Sequence, residues 1–182
     1  MRISRFYLLV ITLSFTGVLF AQPIVQKGTR MAHTGGHASL QGLGGSLSNA
    51  GIAVDGGTSV FFTQKLAIGF GFEYDWAPLT ASSTGKIRLQ RLVYGNTDTR
   101  SSLLFDIHSE LQRSMSTTLS GSRFGSRSAG IGLGTQFTWW LSESAGIYVW
   151  PQMSRTNGGP SGLWEWQLYL PIGVQWTWQK RK

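Results

Sequence analysis

The chain has 182 residues, of which 41% are hydrophobic, with 24 glycines, 8 tryptophans, no cysteine and a formal charge of +8. That length suits one domain, and the absence of cysteine excludes disulfides, thiolate metal sites and a cysteine-borne lipid anchor. Mean hydropathy is near zero. Apart from the N-terminal run, no stretch approaches the ~20 apolar residues of a membrane helix. The Lys and Arg residues are dispersed, without the clustered stripe of a nucleic-acid binder, so no nucleic-acid partner is expected and anionic lipid headgroups suit the charge better.

In chain order, Arg2 and Arg5 precede an apolar run over 6–20, followed by Ala21 and then Gln22-Pro23. A basic start, an apolar centre and a small residue at the end form the layout of a secretory signal peptide. The expected domains are a signal peptide over 1–21 and a barrel over 22–182; losing Arg2 and Arg5 leaves +6. The alternative is an uncleaved anchor, for which a run of about 15 residues is short.

Residues 22–26 read as a polar lead-in. The glycine-rich stretch 29–43 is a first strand with Met31, His33, His37, Ser39 and Gln41 on one face, and 44–49 is a turn. A second strand over 51–62 sends Ile52, Val54, Val60 and Phe62 one way and Ala53, Asp55, Gly57 and Ser59 the other. After a tight turn at 63–65, the third strand over 66–76 puts Leu66, Ile68, Phe70, Phe72, Tyr74 and Trp76 outward, with Glu73 and Asp75 inward. Residues 78–86 read as a polar loop. The fourth strand covers 87–94, with Arg88 inside and Arg91 facing lipid near its end. A turn at 95–100 leads to a fifth strand over 101–111, with Asp106, His108 and Glu110 inside. Residues 112–128 read as the longest loop, carrying Arg113, Arg123 and Arg127. The sixth strand over 129–140 shows Ile131, Leu133, Phe137 and Trp139 against glycines, Gln136 and Thr138. A turn at 141–144, a seventh strand over 145–152 and a loop over 153–162 with Arg155 complete the body.

The last strand, 163–178, carries the clearest pattern. Trp164, Trp166, Leu168, Leu170, Ile172, Val174, Trp176 and Trp178 share one face, because a period of two sends alternate side chains to opposite sides. Trp166 to Trp176 is ten steps of about 3.3 Å; tilted by about 40°, they rise roughly 25 Å, the height of the apolar band on an outer-membrane barrel. Indoles favour the headgroup level, so Trp76, Trp139, Trp164, Trp166, Trp176 and Trp178 form the expected aromatic girdle. The fold class is all-β: an eight-stranded antiparallel up-and-down transmembrane β-barrel behind a cleavable signal peptide, with short turns at one end and long loops at the other. A soluble ligand-binding barrel with the apolar face inward is the alternative.

Three segments carry a resemblance: KGTRMAHTGGHASLQG, VFFTQKLAIGFGFEY and FTWWLSESAGIYVW. With them goes the closing Gly173-Val174-Gln175-Trp176-Thr177-Trp178. Together they resemble the small eight-stranded outer-membrane proteins of Gram-negative bacteria, the OmpA/OmpX-like barrels. The closing segment is similar to the final-strand signal read by the barrel-assembly machinery, although four residues follow it here and Pro171 stands where a polar residue is usual. The resemblance implies a cell outer-membrane location, assembly-machinery contact during insertion and a monomer.

An eight-stranded barrel has an interior just wide enough for side chains. Glu73, Asp75, Arg88, Asp106, His108, Glu110, Gln136 and Glu165 are the expected interior polar network, a plug of paired charges; a gated pore is the alternative. Arg113, Arg123, Arg127 and Arg155 are candidates for lipopolysaccharide phosphate contact, since guanidinium binds phosphate bidentately. His37-Ala38-Ser39 and His108-Ser109-Glu110 supply the residue types of a lipid-A hydrolase, and some small barrels of this kind modify lipid A. No catalytic residue is assigned, however, because a hydrolase needs hydroxyl, imidazole and acid within hydrogen-bond reach. No cofactor is expected, since no phosphate-cradling glycine loop, zinc spacing or calcium loop is present. The expected role is structural or surface-interactive, with outer-membrane lipids and lipopolysaccharide as partners.

Overall fold

The computed structural model describes residues 25–43, 46–78, 80–96, 100–117, 121–157 and 165–178, with the side chains of 39–43, 46–50, 96 and 165 outside the description. The expected signal peptide, Trp164 and the side chains of Ser39 and Glu165 thus lie outside the described residues.

Alternation of period two runs through ten hydrogen-bonded segments: β1 Arg30–Leu43, β2 Ser46–Phe61, β3 Leu66–Ala77, β4 Thr80–Asn96, β5 Ser101–Thr117, β6 Arg123–Trp140, β7 Ala145–Val149, β8 Gln152–Asn157, β9 Glu165–Tyr169 and β10 Ile172–Trp178. Consecutive strands from β1 to β6 pair antiparallel, β6 pairs both β7 and β8, β8 pairs β9, β7 pairs β10, and β10 pairs β1. The segments therefore make a closed ring of eight strands, in which β7 with β8 and β9 with β10 are halves of single strands. Closure matters because an open sheet edge leaves backbone groups that hydrocarbon cannot satisfy.

Both interruptions contain a proline, and the two are diagonal neighbours: Pro171 lies opposite Trp150 and Pro151 opposite Leu170. Register is in step on either side, with Val149 opposite Ile172 and Gln152 opposite Tyr169. Trp150 N donates to Pro171 O at 2.9 Å, and Thr135 N donates to Pro151 O at 3.0 Å. An antiparallel hydrogen-bonded pair normally exchanges two such bonds. Pro171 has no N–H to return to Trp150, and Pro151 none to return to Thr135. The last strand is thus split at Pro171 instead of running unbroken from 163 to 178, yet Trp166, Leu168, Leu170, Ile172, Val174, Trp176 and Trp178 all stay exposed on one face.

Other boundaries move outward. β4 begins at Thr80, so most of the expected loop over 78–86 is strand; Ser82, Thr84 and Lys86 alternate inward between β3 and β5. β5 and β6 continue in unbroken register to Thr117 opposite Arg123, so the expected loop over 112–128 is chiefly hairpin, and Arg113, Arg123 and Arg127 are strand residues. Their polar sequence reads as a loop, but cross-strand pairing carries it past the apolar zone. β8 extends the seventh strand to Asn157 and takes Arg155 out of its expected loop. β2 resumes at Ser46, inside the expected turn over 44–49.

The outer wall is the apolar one. Ile52, Val54, Phe70, Phe72, Ile107, Ile131, Leu133 and Leu168 are exposed, a continuous belt far beyond the few hundred Å² that a soluble monomer presents. Trp76 and Trp166 edge the belt at one end, and Trp139, Trp176 and Trp178 edge it at the other. Inside, the end that carries the turns over 62–65 and 141–144 is stoppered by Val25, Met31, Phe61, Ala67, Leu92 and Leu104. Val25 arrives from the lead-in, held by Gly28 N to Phe61 O at 2.7 Å and Phe61 N to Thr29 O at 2.9 Å. Gly28, at φ +89°, makes the reversal that a side chain would strain.

Depth in the belt sets a measurable difference. Phe70→Arg, mid-strand on β3, should lower the unfolding free energy in a bilayer by about 2–4 kcal/mol, whereas Trp76→Arg at the belt edge should cost about 0–1 kcal/mol beyond its lost indole contact. Denaturant titration of the reconstituted barrel measures both.

Candidate functional site: the polar lumen and the outer arginines

The lumen is built from inward positions that alternate with the lipid-facing ones. Asp55, Glu73, Asp75, Asp106 and Glu110 are buried inside, with Lys86, Arg88, His33 and His108 among them. Among the described residues, five of the chain's eight acidic side chains therefore lie inside, against two of its sixteen Lys and Arg. Two cations among five acids must each serve several partners.

Lys86 serves one cluster. Its Nζ lies 2.8 Å from Glu73 Oε2, donates to Gln152 Oε1 at 3.4 Å, and is 3.9 Å from Glu110 Oε2. It also sits 4.8 Å from the centre of the Tyr169 ring, an arrangement in which the ring's negative face adds to the carboxylates' attraction. Arg88 serves the next cluster. Its guanidinium stacks 4.2 Å over the Trp150 ring and donates from Nη1 to His33 Nε2 at 2.9 Å. Arginine has no acceptor, so His33 carries its proton on Nδ1. Asp55 Oδ2 lies 3.8 Å from His33 Nε2 and accepts from the Tyr148 hydroxyl at 3.1 Å.

Asp106 joins the clusters. Its Oδ2 accepts from Trp150 Nε1 at 2.8 Å and its Oδ1 from His108 Nδ1 at 2.8 Å. His108 Nε2 then faces Glu110 Oε2 at 3.8 Å. Toward the apolar stopper the polar atoms become uncharged: Gln136 donates to Gln175, Gln175 Nε2 lies 3.4 Å from Met31 Sδ, and Ser59 donates to Gln90 at 2.5 Å.

The glycines make the room. His108 lies opposite Gly132, Asp106 opposite Gly134 and Glu110 opposite Gly130 across β5 and β6. Arg88 and Lys86 lie opposite Gly69 and Gly71 across β4 and β3. Asp106, His108 and Glu110 lean over the glycines opposite them, and Arg88 leans diagonally over Gly71. A Cβ built at Gly71 would stand 2.8 Å from the Arg88 guanidinium carbon, and one at Gly134 would stand 2.6 Å from Trp150 Nε1 and press on Asp106.

Glu73, Asp75, Arg88, Asp106, His108, Glu110 and Gln136 are all buried inside the barrel. Lys86 falls within the expected loop over 78–86 but is a strand residue of the lumen, and the network also takes in His33, Asp55, Tyr148, Trp150, Gln152 and Gln175. For Tyr148, Trp150 and Gln152 the signal was present: with Ser154 and Thr156 they alternate in one phase straight through Pro151. Among the described residues, Trp150 and Trp140 are the tryptophans that turn inward, and each buried indole N–H has a partner, Trp140 Nε1 donating to Ser102 Oγ at 2.9 Å.

Of the lipid-A-hydrolase residue types, those of His108-Ser109-Glu110 are not gathered in one place, and the side chain of Ser39 lies outside the described residues. His108 and Glu110 are inside, but Ser109 is exposed on the outer wall, as alternation on a strand requires. His37 packs edge-on against Tyr169 at 5.4 Å, and neither ring nitrogen has a hydrogen-bond partner among the described residues. Among the described residues no group of His, Asp and Glu has the geometry to hold a metal ion.

On the outer wall, Arg113 and Arg127 are direct cross-strand partners, Arg123 opposes Thr117, and Arg155 opposes Ile131 and Trp166. All four arginines are exposed on adjacent strands. Arg155 stacks 5.5 Å from the centre of the Trp166 ring.

Comparison with solved structures settles what kind of barrel this is. The N-terminal β-barrel domain of OprF from Pseudomonas aeruginosa superposes with a TM-score of 0.61 at 10% identity, covering 84% of this chain and 98% of that domain. The chain has the fold of the eight-stranded outer-membrane β-barrels. Neisserial surface protein A, NspA, shares this outer-membrane barrel fold with a TM-score of 0.56 at 15% identity, covering 82% of this chain and 94% of NspA. Ail, the attachment invasion locus protein of Yersinia pestis, matches with a TM-score of 0.45 at 6% identity over 82% of this chain and 96% of Ail. No protein-family model matches the chain, and no curated protein matches it in sequence.

Two outcomes test the lumen. Gly134→Ala should lower stability by about 1–3 kcal/mol through overpacking, whereas Gly85→Ala, whose Cβ meets nothing within 4 Å, should leave the denaturation midpoint unchanged. Lys86→Met leaves Glu73 without its cation and should cost about 3–5 kcal/mol; adding Glu73→Gln should restore part of it in a double-mutant cycle.

Proposed function

We propose that the chain is a monomeric outer-membrane barrel with a closed, side-chain-filled lumen, and that its role is structural and surface-interactive through the phosphates of lipopolysaccharide. The apolar belt with indoles at both edges supports a membrane setting. The end holding the four-residue turns and the ordered lead-in is read as periplasmic, since outer-membrane barrels keep their short turns there.

The observation that carries the lipopolysaccharide reading is the Arg113–Arg127 pair. Like charges directly opposite on one face of a sheet repel, and here they do so at the far end of the belt from the lead-in, with Arg123 farther along the same face. A phosphate between two guanidinium groups reverses the sign of that interaction and is held bidentately. Arg155, nearer the belt and braced by Trp166, adds a second level of contact. The interior is read as a plug: paired charges fill its middle and an apolar stopper fills one mouth.

Purified barrels carrying Arg113→Gln with Arg127→Gln should retain roughly tenfold less lipopolysaccharide than wild type in detergent. Their heat-modifiable gel migration should be unchanged, because both side chains lie outside the lumen. Equal retention by the two proteins rejects this reading.

A further inference from the structure

At the opposite edge of the belt the surface is again basic, and there it is concave. An open cleft of about 680 Å³ is bordered by Lys27, Lys65 and Arg91, with Phe62 and Leu66 as its apolar wall. The three cations come from three separate elements: the lead-in turn, the turn between β2 and β3, and the outer face of β4. Backbone bonds fix those elements together. Gly28 N donates to Phe61 O at 2.7 Å, Leu92 N to Lys65 O at 2.7 Å and Phe62 N to Leu66 O at 3.0 Å. Among the described residues none of the three cations has an acidic partner; Asp55, Glu73, Asp75, Asp106 and Glu110 are enclosed in the lumen.

We propose that this cleft binds an anionic phospholipid of the leaflet on the lead-in side, its phosphate held by Lys27, Lys65 and Arg91. The track for its acyl chain is laid out by register. Arg91 is the cross-strand partner of Leu66, and two positions deeper on the same outer face Leu89 partners Ile68, followed by Ile87 and Phe70. Ile68, Leu89, Ile87 and Phe70 are exposed. A charged head at the rim above an unbroken apolar strip matches a phospholipid; free phosphate has no use for the strip. The arginine side chain supplies a planar fork for phosphate oxygens and the lysines supply mobile point charges. The proposal rests on the membrane setting of the barrel but not on the arginines of β5 and β6.

The test is native mass spectrometry of the barrel in dodecyl maltoside micelles. Short-chain phosphatidylglycerol, short-chain phosphatidylcholine and inorganic phosphate are added in turn. The expected result is one retained phosphatidylglycerol per barrel, little phosphatidylcholine, and no displacement by inorganic phosphate. In Lys27→Gln/Lys65→Gln/Arg91→Gln, retention should drop at least about tenfold, and the single Lys27→Gln, in the exposed lead-in, should give a partial drop without touching the strands. Unchanged gel migration confirms that both variants fold. Equal retention by wild type and the triple variant overturns the proposal, as does equal retention of the two lipids. Phosphate competing at comparable concentration shows an anion site without lipid selectivity and also overturns it. Arg113→Gln/Arg127→Gln should keep its phosphatidylglycerol whatever happens to its lipopolysaccharide, which separates this site from the one on the far rim.

Discussion

The constraint that governs this molecule is the width of an eight-stranded lumen. Such a ring leaves room for side chains and for little else, while its outer face must be apolar. All chemistry the strands carry on their other face is therefore forced into a narrow core. Here that core holds carboxylates, a lysine, an arginine and histidines, with Trp150 and Tyr148 packed among them. It is feasible only because bulk on one strand meets bareness on the next, as where His108 lies over Gly132 and Arg88 over Gly71. Glycine, which weakens most strands, is what allows these strands to approach each other's charges.

The same constraint orders the core along its axis. Lys86 and Arg88 are two residues apart on β4, so they sit at successive levels of one face and organise successive clusters. Asp106 bridges these levels through His108 and Trp150. Below them come amides and hydroxyls, then the apolar stopper with Val25. The sequence of charge, dipole and hydrocarbon moves the least solvated groups farthest from the mouth ringed by polar hairpin. Asp55 and Asp106 each have a second donor besides their histidine, from Tyr148 and Trp150, as desolvated charge requires.

Much of this architecture was legible from residues. Period-two alternation in β3, β5 and β6 fixed which side chains face in, because a slip of one residue would turn every apolar group into the lumen. The girdle tryptophans marked the belt's height. What failed were the strand ends. Ser82, Thr84, Ser114 and Ser126 carry no strand signature of their own; they are extended because a neighbour's hydrogen bonds require it. Lys86 was lost with them, since a lysine flanked by Gly85 and serines reads as solvated. The phase of β7 and β8 was legible only by reading through Pro151 and treating the proline as an interruption of the ladder, with side-chain alternation intact. Arg91 was placed near the membrane edge by its position on β4, but its neighbours Lys27 and Lys65 come from chain segments that only the folded ring brings together.

The two neighbouring prolines have a mechanical consequence. From β1 to β6 the ladders are unbroken or singly shifted, but on either side of the strand formed by β7 and β8 one return bond is missing at the same height. Pro171 stands midway between Trp166 and Trp176, so the softened point falls at the centre of the hydrocarbon, farthest from any water that could replace the lost bonds. The two lost bonds therefore gather at a single level of the wall, on the two seams that flank the strand formed by β7 and β8.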